Sequence, residues 1–130
     1  MACKKIYECE CLMITSNIYA DIPKELPNEL FEKIIQTGSF KLERIISKGH
    51  STPKGKWYDQ NEEEWVIVLK GNAGISIEGE AEIVVLKPGD YMHLPARLKH
   101  RVEWTDATTE TVWLALYYQK RKGGHLESAG

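Results

Sequence analysis

The amino-acid sequence predicts an all-β fold, a barrel or sandwich, with one short helix ahead of it. Three features carry that prediction. From Phe40 onward apolar and polar residues alternate with the period of two that a half-buried strand requires. The alternating runs are short and are separated by turn-forming pairs such as Gly71-Asn72, Gly79-Glu80 and Pro88-Gly89. Ahead of them, residues 28–38 carry a different, helical spacing.

The N-terminal third, residues 1–39, is punctuated by Pro23 and Pro27 and is expected to form a strand-and-helix flap. Within it Asn28 can cap a helix, Leu30 and Phe31 meet Ile34 and Ile35 four residues on, and Gly38 closes the segment. A helix of that length does not stand alone and would lay one apolar face on the remainder of the chain. The barrel is expected over residues 40–119. Phe40–Ile46 alternates and is rich in β-branched residues, and Trp65–Leu69 is a nearly continuous apolar run. Gly74–Glu78 alternates cleanly, and Ala81–Leu86 follows it through the Gly79-Glu80 turn. Tyr91–Leu94, Lys99–Thr105 and Thr111–Tyr118 complete the set. Residues 120–130, beginning Lys120-Arg121-Lys122-Gly123-Gly124, are expected to be a flexible tail.

A chain of 130 residues is the size of one domain and can bury one core. Its net charge of -2 gives no long-range attraction to nucleic acid or anionic lipid. No apolar stretch is long enough to span a membrane. Glu8 and Glu10, close behind Lys4 and Lys5, interrupt any secretory apolar segment. The three cysteines, Cys3, Cys9 and Cys11, have no partner cluster and are expected to be free thiols on an N-terminal strand. A cytoplasmic protein is the expectation.

Glu64 shares strand parity with Val66 and Val68, which turns a carboxylate toward the core. A buried carboxylate is costly unless it is paired or bound to a cation. The residues alone leave a second reading open, because Glu64 also ends the run Glu62-Glu63-Glu64 and could belong to a solvated hairpin mouth. His100 lies on the apolar face of its strand with Val102 and Trp104, opposite Lys99, Arg101 and Glu103. Such a histidine is either a ligand or a satisfied core residue. Gln60 has the parity of Tyr58, just ahead of Glu64, and can reach the same space.

These residues resemble the cupin superfamily. Glu64, followed seven positions later by Gly71, matches the first cupin motif, whose usual form is His-x-His, three or four residues, Glu, six residues, Gly. Pro95 and His100 match the proline and histidine of the second motif, and Leu86-Lys87-Pro88-Gly89-Asp90 resembles the turn before it. The resemblance runs from Phe40 to Tyr118 and implies a double-stranded β-helix, or jelly-roll barrel. Two departures stand out. Tyr58 and Gln60 occupy the places of the paired histidines, while Arg97 and Trp104 replace the second motif's glycine and asparagine.

By resemblance the inherited ligand positions are Tyr58, Gln60, Glu64 and His100. Glutamine has a precedent in phosphomannose isomerase, a cupin with Gln, His, Glu and His around zinc. A phenol with an ordinary pKa of about 10 is a weak ligand, so Tyr58 is expected to donate a hydrogen bond within the pocket. Gly49-His50 and Trp57-Tyr58-Asp59-Gln60 are similar to a subgroup of small single-domain cupins. His50 is therefore expected to fill the remaining ligand position or else to bond its own loop's backbone. The implied cofactor is a divalent metal ion held by Gln60, Glu64, His100 and His50, a donor set that suits Zn, Mn, Fe or Ni.

Substrate contacts are expected from Tyr58, His93 and Trp104. Trp57 and Trp65, of the opposite parity, are expected outside the cavity. Arg44 either points inward to hold an anion or snorkels to the surface. The resemblance implies a small metal-binding cupin acting on a polar small molecule, such as a sugar or sugar phosphate, by isomerase or epimerase chemistry. The alternative is a non-catalytic ligand-binding or sensor barrel. A third view is a purely structural homo-oligomer, and a homodimer joined through sheet edges is expected under all three.

Overall fold

The computed structural model describes residues 13–120. Cys3, Cys9, Cys11, His125 and the expected flexible tail beyond Lys120 lie outside the described residues. Among the described residues eight strands make up the regular structure: β1 (Leu30–Gln36), β2 (Phe40–Ser47), β3 (Glu63–Lys70), β4 (Ala73–Ile77), β5 (Val84–Leu86), β6 (Tyr91–Leu94), β7 (His100–Thr105) and β8 (Thr111–Tyr118). Five of them form one sheet in the order β1-β2-β8-β3-β6, and three form a second in the order β5-β4-β7. Every pairing is antiparallel. Among the described residues no helix is long and apolar enough to cross a membrane.

Alternation explains the core. On β3, Glu64, Val66 and Val68 face inward while Trp65 and Ile67 are partly exposed. Val66 and Val68 join Ile45, Ala73, Ile75, Leu86, Leu94, Trp113 and Ala115 in one cluster contributed by both sheets. The motif glycine has a steric reason. Gly71 has φ +83°, and a Cβ there would lie 2.6 Å from Thr111 Cα and 2.7 Å from the Glu110 carbonyl oxygen. No L side chain fits that turn without moving backbone.

The expected helix over 28–38 is a strand. Residues of β1 pair with β2 from Leu30↔Ile46 to Gln36↔Lys41, and the register shifts between Lys33 and Ile35. That bulge places an extra residue in the strand, so its apolar residues fall at 30, 31, 34 and 35 and imitate helical spacing. Thr37 then makes a hairpin turn, its Oγ1 accepting the N–H groups of Ser39 at 3.0 Å and Phe40 at 3.2 Å. Of the expected Ala81–Leu86 strand only Val84–Leu86 pairs. β1 forms an edge of the larger sheet and leaves Phe31, Ile34 and Ile35 exposed.

Arg44 neither points into the cavity nor reaches solvent. Its guanidinium is buried, bonds Glu32 at 2.6 Å, and donates to the carbonyls of Ile18 at 2.9 Å and Ala20 at 2.7 Å. It thereby ties the N-terminal segment to the outer face of β2.

Candidate functional site

The space between the sheets opens into a cavity of about 530 Å³, open solvent at its mouth included. Gln60, Glu64 and His100 meet on its wall. Glu64 and His100 are 8% and 4% exposed, so the carboxylate is a buried group and not part of a solvated hairpin mouth. Gln60 Nε2 lies 3.1 Å from Glu64 Oε1, and His100 Nε2 lies 3.4 Å from the same oxygen. His100 Nδ1–H donates to the Leu98 carbonyl at 2.9 Å, which directs Nε2 toward the carboxylate. Burial pulls the His100 pKa down, but the Glu64 carboxylate and the Leu98 carbonyl outweigh it and hold the ring above its ordinary 6.5.

Tyr58 comes to the site through its backbone. It forms an isolated bridge with His100, its N–H donating to the His100 carbonyl at 2.7 Å and its carbonyl accepting from His100 N–H at 3.1 Å. The two rings stack, with centroids 5.5 Å apart. Burial, reinforced by the Glu29 carboxylate, pushes the Tyr58 phenol above 10 and keeps it a neutral donor.

Arg97 explains how a chain without the second motif's glycine keeps that turn. It adopts φ 69°, the left-handed conformation that glycine takes readily. Its N–H donates to the Gln60 carbonyl at 2.7 Å, and its guanidinium bonds both oxygens of Asp59 at 2.5 and 3.2 Å. The turn after β6 is thus tied to the residue that presents Gln60.

Three expected site residues lie elsewhere. His50 is absent from the cavity wall; its Nδ1 accepts the Lys48 N–H at 2.9 Å, so it bonds its own loop. His93 sits opposite Trp65 on the outer face, where its Nε2 meets Glu63 Oε1 at 2.7 Å. Trp104 is turned outward by a bulge. The register jumps from Gly74↔Trp104 to Ile75↔Val102, so the parity that puts His100 and Val102 on the wall reverses at Glu103. The indole is 37% exposed and packs over Gly74, where a Cβ would collide with it. Trp57 and Trp65 also lie off the cavity wall.

Glu29, Trp113 and Tyr117 line the cavity and were missed in the sequence. Ser47 Oγ donates to Glu29 Oε2 at 2.5 Å and accepts from Trp113 Nε1 at 3.1 Å, which anchors the carboxylate and the indole to one buried hydroxyl. Burial, with Glu64 and Glu43 adding to it, pushes the Tyr117 phenol far up. For Trp113 and Tyr117 the strand parity of β8 was a usable signal; for Glu29 there was none, because its segment read as helix.

The cupin-domain family model matches residues 43–117. The chain belongs to the cupins. Among solved structures this cupin is similar to a candidate mannose-6-phosphate isomerase of Ralstonia eutropha JMP134, with 44% identity, 82% of this chain and 99% of that one covered, and a TM-score of 0.80. It also resembles a cupin superfamily protein of Desulfitobacterium hafniense DCB-2 (16% identity, 76% and 84% covered, TM-score 0.63). A double-stranded β-helix protein of Methanocaldococcus jannaschii is similar at 17% identity, with 76% and 87% covered and a TM-score of 0.60. The last two likenesses are of fold alone. No curated protein matches the chain.

The donor set can be tested for a metal on its own chemistry. Among the described residues no three His, Cys, Asp or Glu side chains cluster. The site offers one carboxylate, one imidazole and one amide, all meeting at Glu64 Oε1. Donors that share an ion at about 2.0–2.2 Å sit roughly 3 Å apart; the His100–Glu64 separation is of that order, while Gln60 turns its amide nitrogen, not its ligating oxygen, to the carboxylate. His100 also gives its second ring nitrogen to a backbone carbonyl, the arrangement that orients a metal-binding imidazole. The residues fit a divalent ion.

Proposed function

We propose that this cupin holds a divalent metal on Gln60, Glu64 and His100 and acts on a polar small molecule of the sugar or sugar-phosphate class by isomerase or epimerase chemistry. The convergence of three polar side chains on the wall of an otherwise apolar cavity carries the reading. Similarity to the candidate mannose-6-phosphate isomerase supports it. The ion would polarise a carbonyl or hold a hydroxyl. The chain's own residues supply the rest. Tyr58 and Tyr117 offer neutral phenols to substrate hydroxyls, and Val66, Ile75, Val102 and Trp113 exclude water. Glu29 is a carboxylate on the same wall outside the ligand set, and we assign it as the base for proton transfer to or from a bound hydroxyl. The Gln60 amide must present its oxygen to the ion, a rotation of the side-chain amide that leaves its shape unchanged.

A non-catalytic binding barrel is the second reading, favoured by one observation. Among the described residues every buried side-chain nitrogen and oxygen has a hydrogen-bond partner, so protonated His100 can satisfy Glu64 without an ion. Protein purified without a histidine tag and analysed for elements separates the two. One metal per chain, lost in both Glu64→Ala and His100→Ala, is the expected result. Metal-free native protein whose variants fold unchanged would favour the second.

We propose a homodimer under both readings. The exposed edge β1 is its place, and sedimentation of wild type against Ile35→Lys measures it.

A further inference from the structure

The charge on the cavity wall bears on which small molecules can enter. Two carboxylates, Glu29 and Glu64, line it, and among the described residues no lysine or arginine does. His100 is the single wall residue able to carry positive charge, and Glu64 faces it at 3.4 Å. The neighbouring cations are engaged elsewhere. Lys41 lies over the Tyr117 ring, 4.8 Å from its centroid, and is paired with Glu43 at 3.4 Å. Arg101 is on the outer face of β7, bonded to Glu103 and to the carbonyls of Thr52, Pro53 and Lys56. Arg97 holds Asp59, and Arg44 holds Glu32.

A phosphoryl group carries nearly two negative charges at neutral pH and needs cations or a cradle of N–H donors to leave water. This wall gives it carboxylates, phenols and hydrocarbon. A divalent ion on Gln60, Glu64 and His100 would set its two positive charges against the two wall carboxylates, and no net positive charge would remain for a phosphoryl group. A phosphoryl group drawn into this wall would bring its negative charges beside the Glu29 carboxylate with no lysine or arginine among the described wall residues to receive them. Like charges brought together out of water select strongly against a ligand.

We infer that the cavity takes a neutral, unphosphorylated, hydroxyl-bearing compound and discriminates against its phosphate ester, in contrast to the substrate named for the Ralstonia relative. The inference rests on the sugar-class reading above and narrows it. Tyr58, Tyr117 and Glu29 are hydrogen-bonding partners suited to hydroxyls, and Trp113 gives the apolar face of a sugar ring a surface to lie on.

The test uses tag-free, zinc-loaded protein titrated with D-mannose, mannose 6-phosphate, D-fructose, fructose 6-phosphate and inorganic phosphate. Calorimetry gives the affinities, and tryptophan fluorescence gives a second signal through Trp113. The neutral member of a pair should bind at least roughly tenfold more tightly than its 6-phosphate, and inorganic phosphate should not displace it. Glu29→Gln, which keeps the contact to Ser47 and removes the charge, should narrow that gap by about threefold or more. Tighter binding of a 6-phosphate, displacement by inorganic phosphate, or an unchanged gap in Glu29→Gln overturns the inference and leaves a sugar pocket standing. Failure of all four sugars to bind overturns the sugar-class reading and this inference with it.

Discussion

Glu63 and Glu64 are neighbours on β3, yet they occupy opposite faces of the sheet, and each meets a histidine from far along the chain. On the inner face Glu64 Oε1 lies 3.4 Å from His100 Nε2, and the two side chains are 10% and 5% exposed. On the outer face Glu63 Oε1 lies 2.7 Å from His93 Nε2, with the histidine 44% exposed. Glu63 commits both oxygens, since Oε2 accepts the Ala96 N–H at 3.1 Å. Both contacts of Glu64 fall on Oε1. The outer pair is a closed latch on the turn that leads to His100. The inner pair borders the cavity, and it is there that the proposed ion would take the place of the proton. Residue type is the same in both; solvent access and the number of committed oxygens separate a structural pair from a reactive one.

The largest expected effect separates the two glutamates by metal content. Glu64→Gln should lose bound metal by tenfold or more, while Glu63→Gln should retain it. Equal losses, measured by elemental analysis, would break the comparison. Opposite pH limbs sharpen it further. In metal-free protein the raised His100 pKa means that the inner pair contributes its full stability below 6.5 and loses it as pH rises through the higher folded value. For Glu63, burial raises the pKa, but the Ala96 N–H and His93 outweigh it and hold it below 4.5. The outer pair therefore contributes above 4.5 and loses its stability as pH falls through the depressed folded value. Thermal melts from acid to alkaline pH should show Glu63→Gln flattening the acid limb and His100→Asn the alkaline one.

A smaller effect is expected from His93→Ala, which leaves Glu63 with the Ala96 N–H alone. A loss of about 1–2 kcal/mol in denaturant unfolding, with metal content unchanged, is the expected outcome. The smallest change belongs to Arg97→Gly. Release of the left-handed strain at φ 69° offsets loss of the exposed Asp59 contact, so the denaturant midpoint should stay close to that of wild type. A larger drop would mean that the Asp59 latch, and not the turn's backbone, holds Gln60 in place.

Much of the fold was legible because most strands keep strict alternation. β6 and β8 match their expected spans, and β2, β3, β4 and β7 differ only at their ends. Two of the misreadings fall where alternation breaks. The bulge in β1 turned a strand into an apparent helix and hid Glu29. The bulge in β7 put Trp104 on the wrong face, while His100, ahead of it, was read correctly as inward. His93 was misplaced because a strand of four residues does not reveal which face is core.

By itself the chain's order of residues determined that strands would form, that Glu64 and His100 would be turned inward, and that Gly71 would close a turn. Those outcomes follow from the two-residue period and from local backbone preference, which act over a few positions. Tertiary structure alone decided that Gln60, Glu64 and His100 meet at one oxygen, and that Glu29 and Ser47 join Trp113 in the wall. It also decided that His50 stays in its loop. Contacts between residues separated by dozens of positions depend on sheet order and on where bulges shift register, and no local pattern encodes either.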